Sequence, residues 1–200
     1  MSRPDPSSKP PRRGLFRRLW RNPFASVTST VIFVLGTLVV LGGAYGGFNV
    51  FAAATNTTAF CISCHEMEVG PYAEYKTSIH YANRTGIRVE CADCHVPEPF
   101  FPKVMAKIIA SKDVYHHLLG TIDTPEKFEA RRLEMAERVW AKMEATESRE
   151  CKSCHAFDSM DLREQGRRAE IKHPDAMTEG RHCIECHKGI VHDLPEGYDG

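Results

Sequence analysis

The sequence predicts a mainly α-helical protein, in which one long apolar helix near the amino terminus precedes a small helical domain with little or no sheet. Three observations lead to this prediction. Residues 22–65 contain no Asp, Glu, Lys or Arg. Two segments between residues 102 and 145 carry helix start and stop signals. The part beyond residue 55 holds all eight cysteines and shows only poor strand signals.

The amino-terminal part combines a basic tail with a predicted membrane helix. Residues 1–22 carry seven Lys and Arg against Asp5, a net charge of +6. Residues 24–54 are apolar or weakly polar, whereas a bilayer core needs about 20 such residues. Basic residues ahead of a span stay in the cytoplasm. We therefore predict a cytoplasmic tail, a transmembrane helix over 23–54 and a periplasmic domain over 55–200, anchored in a bacterial inner membrane.

A cleaved signal peptide is the alternative to this lipid-embedded anchor. Its apolar core is usually about 7–15 residues long and ends at a small-x-small site. The present stretch is longer, and no clear cleavage pattern stands out. A retained anchor is therefore predicted. No basic patch lies in the folded part, which argues against nucleic acid as a partner.

One short motif, Cys-x-x-Cys-His, accounts for every cysteine in the chain. Two cysteines at this spacing attach to one c-type haem, and the adjacent His reaches the iron. Structural zinc sites and disulfides also use paired cysteines, but neither explains a His after every second Cys. The sequence therefore predicts four covalent haems. Their attachment residues are Cys61, Cys64, Cys91, Cys94, Cys151, Cys154, Cys183 and Cys186.

The spacing of the motifs predicts two dihaem modules, over residues 56–100 and 148–200. Each module holds two motifs with a lone His between them, His80 in the first and His173 in the second. About 145 residues for four haems leave little room for a protein-only core, so the porphyrins must supply much of the apolar surface. Helices over 101–147 would join the modules.

Two helices are predicted in this linker. The first extends from Pro102 to Leu119, with Gly120 as a stop signal. The second starts at the sequence Asp-Thr-Pro-Glu from position 123 and continues to about Ala145. Its apolar stripe, which includes Trp140, is interpreted as a packing face.

The histidines outside the motifs are candidates for the remaining iron positions. Four six-coordinate haems need eight axial ligands, and the motif histidines supply at most four. Spacing alone does not choose among the other six. His182 precedes a motif cysteine and is poorly placed for its own haem. The six residues are His80, His116, His117, His173, His182 and His192.

The sequences around the motifs permit a more specific comparison. Residues 61–67 read Cys-x-x-Cys-His-x-Met, and residues 91–97 read Cys-x-Asp-Cys-His-Val-Pro. Residues 120–124 read Gly-Thr-Ile-Asp-Thr, and residues 186–192 read Cys-His-Lys-Gly-Ile-Val-His. This combination resembles the NapC/NirT family of membrane tetrahaem cytochromes. Members are helical, have one membrane span, and pass electrons from membrane quinol to periplasmic reductases.

The resemblance implies iron ligands that cross between the modules. His80 would serve the third haem, His192 the second and His173 the fourth, and the presence of His173 points to the NapC-like branch. The motif ligands would be His95, His155 and His187.

For the first haem, the resemblance points to Met67 as an iron ligand and leaves His65 uncertain. An ordinary packing role is the alternative for Met67. The resemblance also places a quinol site on the first linker helix, with Lys107 and Asp113 as the matching residues and Lys103 competing with Lys107. Asp113 would accept a proton or control access to the first iron. A plain surface helix near lipid headgroups is the alternative.

The resulting interpretation is a quinol-oxidising electron-transfer protein. Its acceptor would be the periplasmic nitrate reductase or its small cytochrome subunit, with nitrite, trimethylamine oxide or sulfoxide reductases as alternatives. A terminal reductase with an open haem is disfavoured by the supply of histidines, and a haem sensor would need only one haem. Whether the chain counts as an enzyme, which quinone it uses and whether it forms a homodimer stay open.

Overall fold

The structure is a computed structural model that describes Phe24 and residues 26–199. Across these residues it contains eleven α-helices, two short 3-10 helices and no β-strand. The prediction of a mainly α-helical fold with little or no sheet is therefore confirmed. The chain divides into two compact units between Phe51 and Ala52. The predicted basic tail lies outside the described residues.

The first helix, α1, covers Val27–Thr55. It begins where the Ser26 hydroxyl oxygen accepts a hydrogen bond from the Ser29 amide at 3.2 Å, which satisfies one of the free amides of the first turn. Its 29 residues extend over about 44 Å, more than the hydrocarbon core of a bilayer. By length and composition, α1 is able to cross a membrane.

Short helices hold the four cysteine motifs. The first motif lies at the junction of α2, Thr58–Cys61, and α3, His65–Val69, which is followed by α4, Pro71–Tyr75. The second motif coincides with α5, Cys91–His95.

The longest helix of the second unit is α6, Phe100–Leu118, which agrees with the predicted first linker helix to within two residues. Pro99 precedes it, and Gly120 follows it with a positive φ of 66°, a conformation that glycine adopts without strain.

The second linker helix was predicted as one element, and this prediction is wrong. The structure has α7, Pro125–Glu129, and α8, Arg132–Ala145. The predicted start signal is confirmed, since the Thr124 hydroxyl caps α7 by accepting a hydrogen bond from the Lys127 amide at 3.4 Å. The break occurs because the Arg131 amide bonds to the Phe128 carbonyl, closing α7 with a tight turn, while the Arg132 side chain is drawn towards Glu74.

The remaining elements belong to the carboxy-terminal half. They are α9, Arg149–Lys152, two 3-10 helices at Phe157–Ser159 and Leu162–Glu164, α10, Arg167–Glu179, and α11, Cys183–Cys186.

The protein core of the second unit is small. Among the described residues the buried apolar side chains are Ala52, Tyr75, Ala106, Ile122 and Ile184. Large apolar side chains such as Phe60, Ile79 and Ile190 are about half exposed or more. A domain of this size usually buries far more apolar surface within the polypeptide. This pattern of burial is typical of a fold whose apolar side chains pack against prosthetic groups.

Candidate haem sites and the residues of helix α6

The cysteine motifs contact one another in the order in which they occur in the chain. The Cys61 and Cys91 thiols touch, and α2 packs against α5. The Cys94 thiol lies beside Cys151, and α5 packs against α9. Cys151 in turn contacts Cys183. The four attachment sites therefore form a continuous row that begins at Cys61, six residues after the end of α1.

The two halves use equivalent hydroxyl groups to join their motifs. Thr58 and Ser148 each lie three residues before the first cysteine of their half. The Thr58 hydroxyl contacts the Glu90 carboxylate and lies 3.5 Å from the Cys91 sulfur. The Ser148 hydroxyl is buried and accepts a hydrogen bond from the Ile184 amide at 3.1 Å.

The second motif of each half also begins in the same way. The Glu90 amide donates to the Asp93 carboxylate at 2.7 Å, and the His182 amide donates to the Glu185 carboxylate at 2.6 Å. In both cases the residue before the helix donates its amide to a carboxylate three residues later, as in the capping boxes that begin many α-helices. His182, which the sequence analysis left without a role, thus caps the helix that carries the last motif.

Three lone histidines lie beside motif histidines. The pairs are His80 with His155, His95 with His192 and His173 with His187, and their ring centroids are 6.2, 6.2 and 5.9 Å apart. Two imidazoles bound to opposite sides of one metal ion have centroids about 6 Å apart. This distance contains two metal–nitrogen bonds of about 2 Å each, and also the distance from each nitrogen to the centre of its ring. The pairs therefore fit bis-histidine haem ligation.

One of these lone histidines has a clear orienting partner. His173 Nδ1 lies 2.6 Å from Oε1 of Gln165. An amide oxygen only accepts hydrogen bonds, so Nδ1 carries the proton and the lone pair lies on Nε2. This is the tautomer that presents Nε2 to a metal.

Around the first motif the arrangement differs. Glu66 is buried, and its Oε1 lies 2.7 Å from Nδ1 of His117 on α6. His65 is exposed at the start of α3, and Met67 is half-buried. The Glu66–His117 contact joins the first motif to α6, and sequence reasoning missed it.

Lys107 faces the first motif from α6. Its Nζ donates a hydrogen bond to the Thr55 carbonyl at 3.0 Å, at the last residue of α1. Partial burial lowers the pKa of the Lys107 ammonium, while the nearby Cys61 thiol acts in the opposite direction. Lys103 is close enough to lower this pKa further.

Asp113 occupies a different environment, about 9 Å further along α6. The residue is exposed, yet protein atoms around its carboxyl displace enough water to raise its pKa. Arg138, His116 and Lys112 are the charged groups that act on it. The structure thus surrounds Lys107 and Asp113 with different groups.

Comparison with known proteins now identifies the family. The sequence model of the NapC/NirT cytochrome c family, N-terminal region, matches residues 23–197. The chain belongs to the NapC/NirT cytochrome c family. It is therefore a c-type cytochrome of electron transport, and the resemblance that the motifs indicated is confirmed.

Individual relatives match over most of the chain. The cytochrome c-type protein NapC of Escherichia coli K12 is 46% identical over 188 residues, which is 92% of each chain. The denitrification system component NirT of Stutzerimonas stutzeri is 47% identical over 187 residues, covering 93% of this chain and 92% of NirT. A tetrahaem cytochrome-c-type protein of Allochromatium vinosum is 55% identical over 133 residues, 66% of this chain and 72% of that protein. No solved structure matches.

Proposed function

We propose that this NapC/NirT protein takes electrons from membrane quinol and delivers them to a periplasmic reductase. The observation that carries the proposal is the continuous row of four attachment motifs, which begins beside the end of the apolar helix α1. When bound, c-type haems supply reversible one-electron transfer. A row of four suits conduction better than sensing or terminal catalysis.

The proposed ligand set follows the histidine pairs. His192 and His95 would hold the second haem, His80 and His155 the third, and His173 and His187 the fourth; the matching ring separations support all three pairs. Met67 would serve the first haem, with His65 as the alternative. The first site would then differ in ligand type from the other three.

Lys107 is the proposed quinol-binding group. Its ammonium lies between the Thr55 carbonyl and the first motif, where it would stabilise negative charge on a quinol oxygen as the hydroxyl loses its proton. Lys103 remains the competitor. The N-terminal tail would lie in the cytoplasm and the motifs in the periplasm.

Asp113 is proposed as a proton acceptor, and its test is the pH profile. A carboxyl accepts a proton only when ionised, and its raised pKa means that ionisation is lost at higher pH than usual as the medium is acidified. We expect quinol-driven haem reduction to fall on the acid side of this pKa. In Asp113→Asn the fall in the rate at acidic pH should disappear, and the rate of haem reduction by quinol should drop about 100-fold. Asp175→Asn, an exposed change on α10, is the control. An unchanged profile in Asp113→Asn would refute the proton-accepting role.

Gln165 tests the fourth ligand pair. In Gln165→Leu the His173 imidazole loses its hydrogen-bond acceptor and becomes a weaker electron donor to iron, so the reduction potential of one haem should rise by a few tens of millivolts. Spectroelectrochemical titration would measure this. The exposed neighbour Glu164→Gln should leave all four potentials unchanged. Four wild-type potentials in Gln165→Leu would argue against His173 as a ligand.

The acceptor is proposed from the relatives. NapC favours the periplasmic nitrate reductase, directly or through its small cytochrome subunit, but NirT matches equally well. The cytochrome c-type protein TorY of Escherichia coli O157:H7 is 47% identical over 167 residues, 83% of this chain and 45% of TorY. Nitrite, trimethylamine oxide and sulfoxide reductases stand as the alternative acceptors.

The deciding experiment uses the full chain in proteoliposomes that contain reduced quinone. Stopped-flow absorbance would follow haem reduction, and purified reductases would then be added one at a time with their substrates. We expect rapid haem reduction, followed by reoxidation with the nitrate reductase and nitrate. Haems that stay oxidised in the presence of quinol would overturn the proposal. If the haems are reoxidised only by another reductase, that reductase becomes the proposed acceptor and the quinol-oxidising role stands.

A further inference from the structure

An ion pair between Glu74 and Arg132 joins three distant segments of the chain. Arg132 Nη1 lies 2.7 Å from Oε1 of Glu74, and Nη2 donates to Oε2 at 2.7 Å. The side chains are only 14% and 15% exposed. Bidentate ion pairs that are mostly buried are stronger and more directional than ion pairs on the surface. This pair holds α4 against the start of α8.

The same two side chains also form hydrogen bonds with the backbone of Asp193, one with its amide and one with its carbonyl. The Asp193 amide donates to Glu74 Oε2 at 3.1 Å, and Arg132 Nη2 donates to the Asp193 carbonyl at 2.7 Å. His192 is the preceding residue, and its Nδ1 lies 3.6 Å from Glu74 Oε2. The carboxylate and guanidinium therefore fix the peptide from which the His192 ring projects.

The opposing histidine is held by the same helix. Lys142, ten residues after Arg132 on α8, donates from Nζ to the His95 carbonyl at 3.1 Å. Side chains of α8 thus bond to the backbone of His95 and to that of Asp193, the residue after His192. The two histidines of this pair are therefore both tied to one helix.

We propose that Glu74 and Arg132 are positioning residues that hold His192 at the ligating distance from the second haem. The inference rests on the proposed ligand set, in which His95 and His192 serve that haem. A ligand on an irregular segment keeps its place only if other contacts fix it. Next to His192, the Glu74–Arg132 pair supplies contacts of this kind by bonding to the Asp193 backbone. Loosening it should let His192 leave the iron without changing any iron ligand.

The test compares Glu74→Gln with Glu129→Gln and His192→Ala in the full-length holoprotein. Glu129 contacts the same arginine, at 3.0 Å, but is 52% exposed and does not reach Asp193, so it is the matched control. Two readouts report iron ligation: magnetic circular dichroism of the oxidised protein, and carbon monoxide binding to the reduced protein. Carbon monoxide binds a haem only where an axial position opens.

We expect His192→Ala to add one carbon monoxide-reactive haem to the wild-type number. Glu74→Gln should show at least half of that gain, and added imidazole should reverse it in both variants. Glu129→Gln should match the wild type. If Glu74→Gln keeps the wild-type spectrum while His192→Ala opens a haem, the positioning role is overturned and the ligand set stands. If His192→Ala opens no haem, the ligand set and this inference both fail.

Glu74→Gln leaves the mostly buried Arg132 charge with only the exposed Glu129 carboxylate as its partner, which would weaken folding. Glu74→Gln/Arg132→Gln removes both charges and serves as the second variant. Four attached haems, counted by pyridine haemochrome absorbance, with a gain in carbon monoxide binding would support the positioning role. Four attached haems with no gain would contradict it.

Discussion

Replacing Lys107 with Gln is expected to slow haem reduction by quinol about 100-fold, the usual effect of removing one charge-stabilising group from an active site. The Gln amide keeps a hydrogen-bond donor for the Thr55 carbonyl, so the local fold should persist. The positive charge beside the first motif is lost, and with it the stabilisation of a deprotonating quinol oxygen. Stopped-flow absorbance in proteoliposomes would give the rate.

Two neighbouring lysines make this experiment selective. Lys103→Gln tests the competitor on the same helix, and Lys112→Gln changes a charge that acts on Asp113 instead. We expect both to stay within a few-fold of the wild-type rate, and all three variants to keep the wild-type haem spectrum. A normal rate in Lys107→Gln together with a large loss in Lys103→Gln would transfer the role to Lys103.

Replacing Met67 with His is expected to lower the reduction potential of the first haem by about 0.1 V or more, because a thioether ligand raises haem potential relative to imidazole. Quinol would then face an uphill first electron transfer, and haem reduction should slow accordingly. Potentiometric titration and magnetic circular dichroism would show one site converted from methionine to histidine ligation.

The controls for this change separate ligation from packing. Met177→Leu alters an exposed methionine on α10 and should leave all four potentials in place. His65→Ala should spare the first haem's iron ligation if Met67 is the ligand. Unchanged spectra in Met67→His, with a changed first haem in His65→Ala, would show that the motif histidine binds iron and that Met67 only packs.

Local sequence signals predicted the features of this fold that local chemistry controls. The apolar run, the four motifs and the ends of α6 follow from composition and capping residues. The cap at His182 was also within reach, since a glutamate three residues later is a common sign of a helix start. It was overlooked because histidine is an unusual first member.

The unpredicted features depend on contacts between residues far apart in the chain. The interruption between α7 and α8 accompanies the turn of Arg132 towards Glu74, 58 positions away, and the Glu66–His117 contact joins residues 51 positions apart. Spacing alone did not choose the partners of the lone histidines, and the resemblance to the NapC/NirT family supplied that pairing. Helical periodicity placed Lys107 and Asp113 on one side of α6, but their different surroundings came only from the structure.

The His95–His192 pair bears on the order in which the protein is made. His192 follows all four motifs in the chain, whereas His95 belongs to the second. Under the proposed ligand set, the second haem would be attached early during export but would gain its last iron ligand only after the fourth motif had crossed the membrane. The maturing chain would thus pass through a period in which a site near the quinol end was open to small ligands and oxidants. The haem sites would therefore be completed in a different order from the one in which they pass electrons.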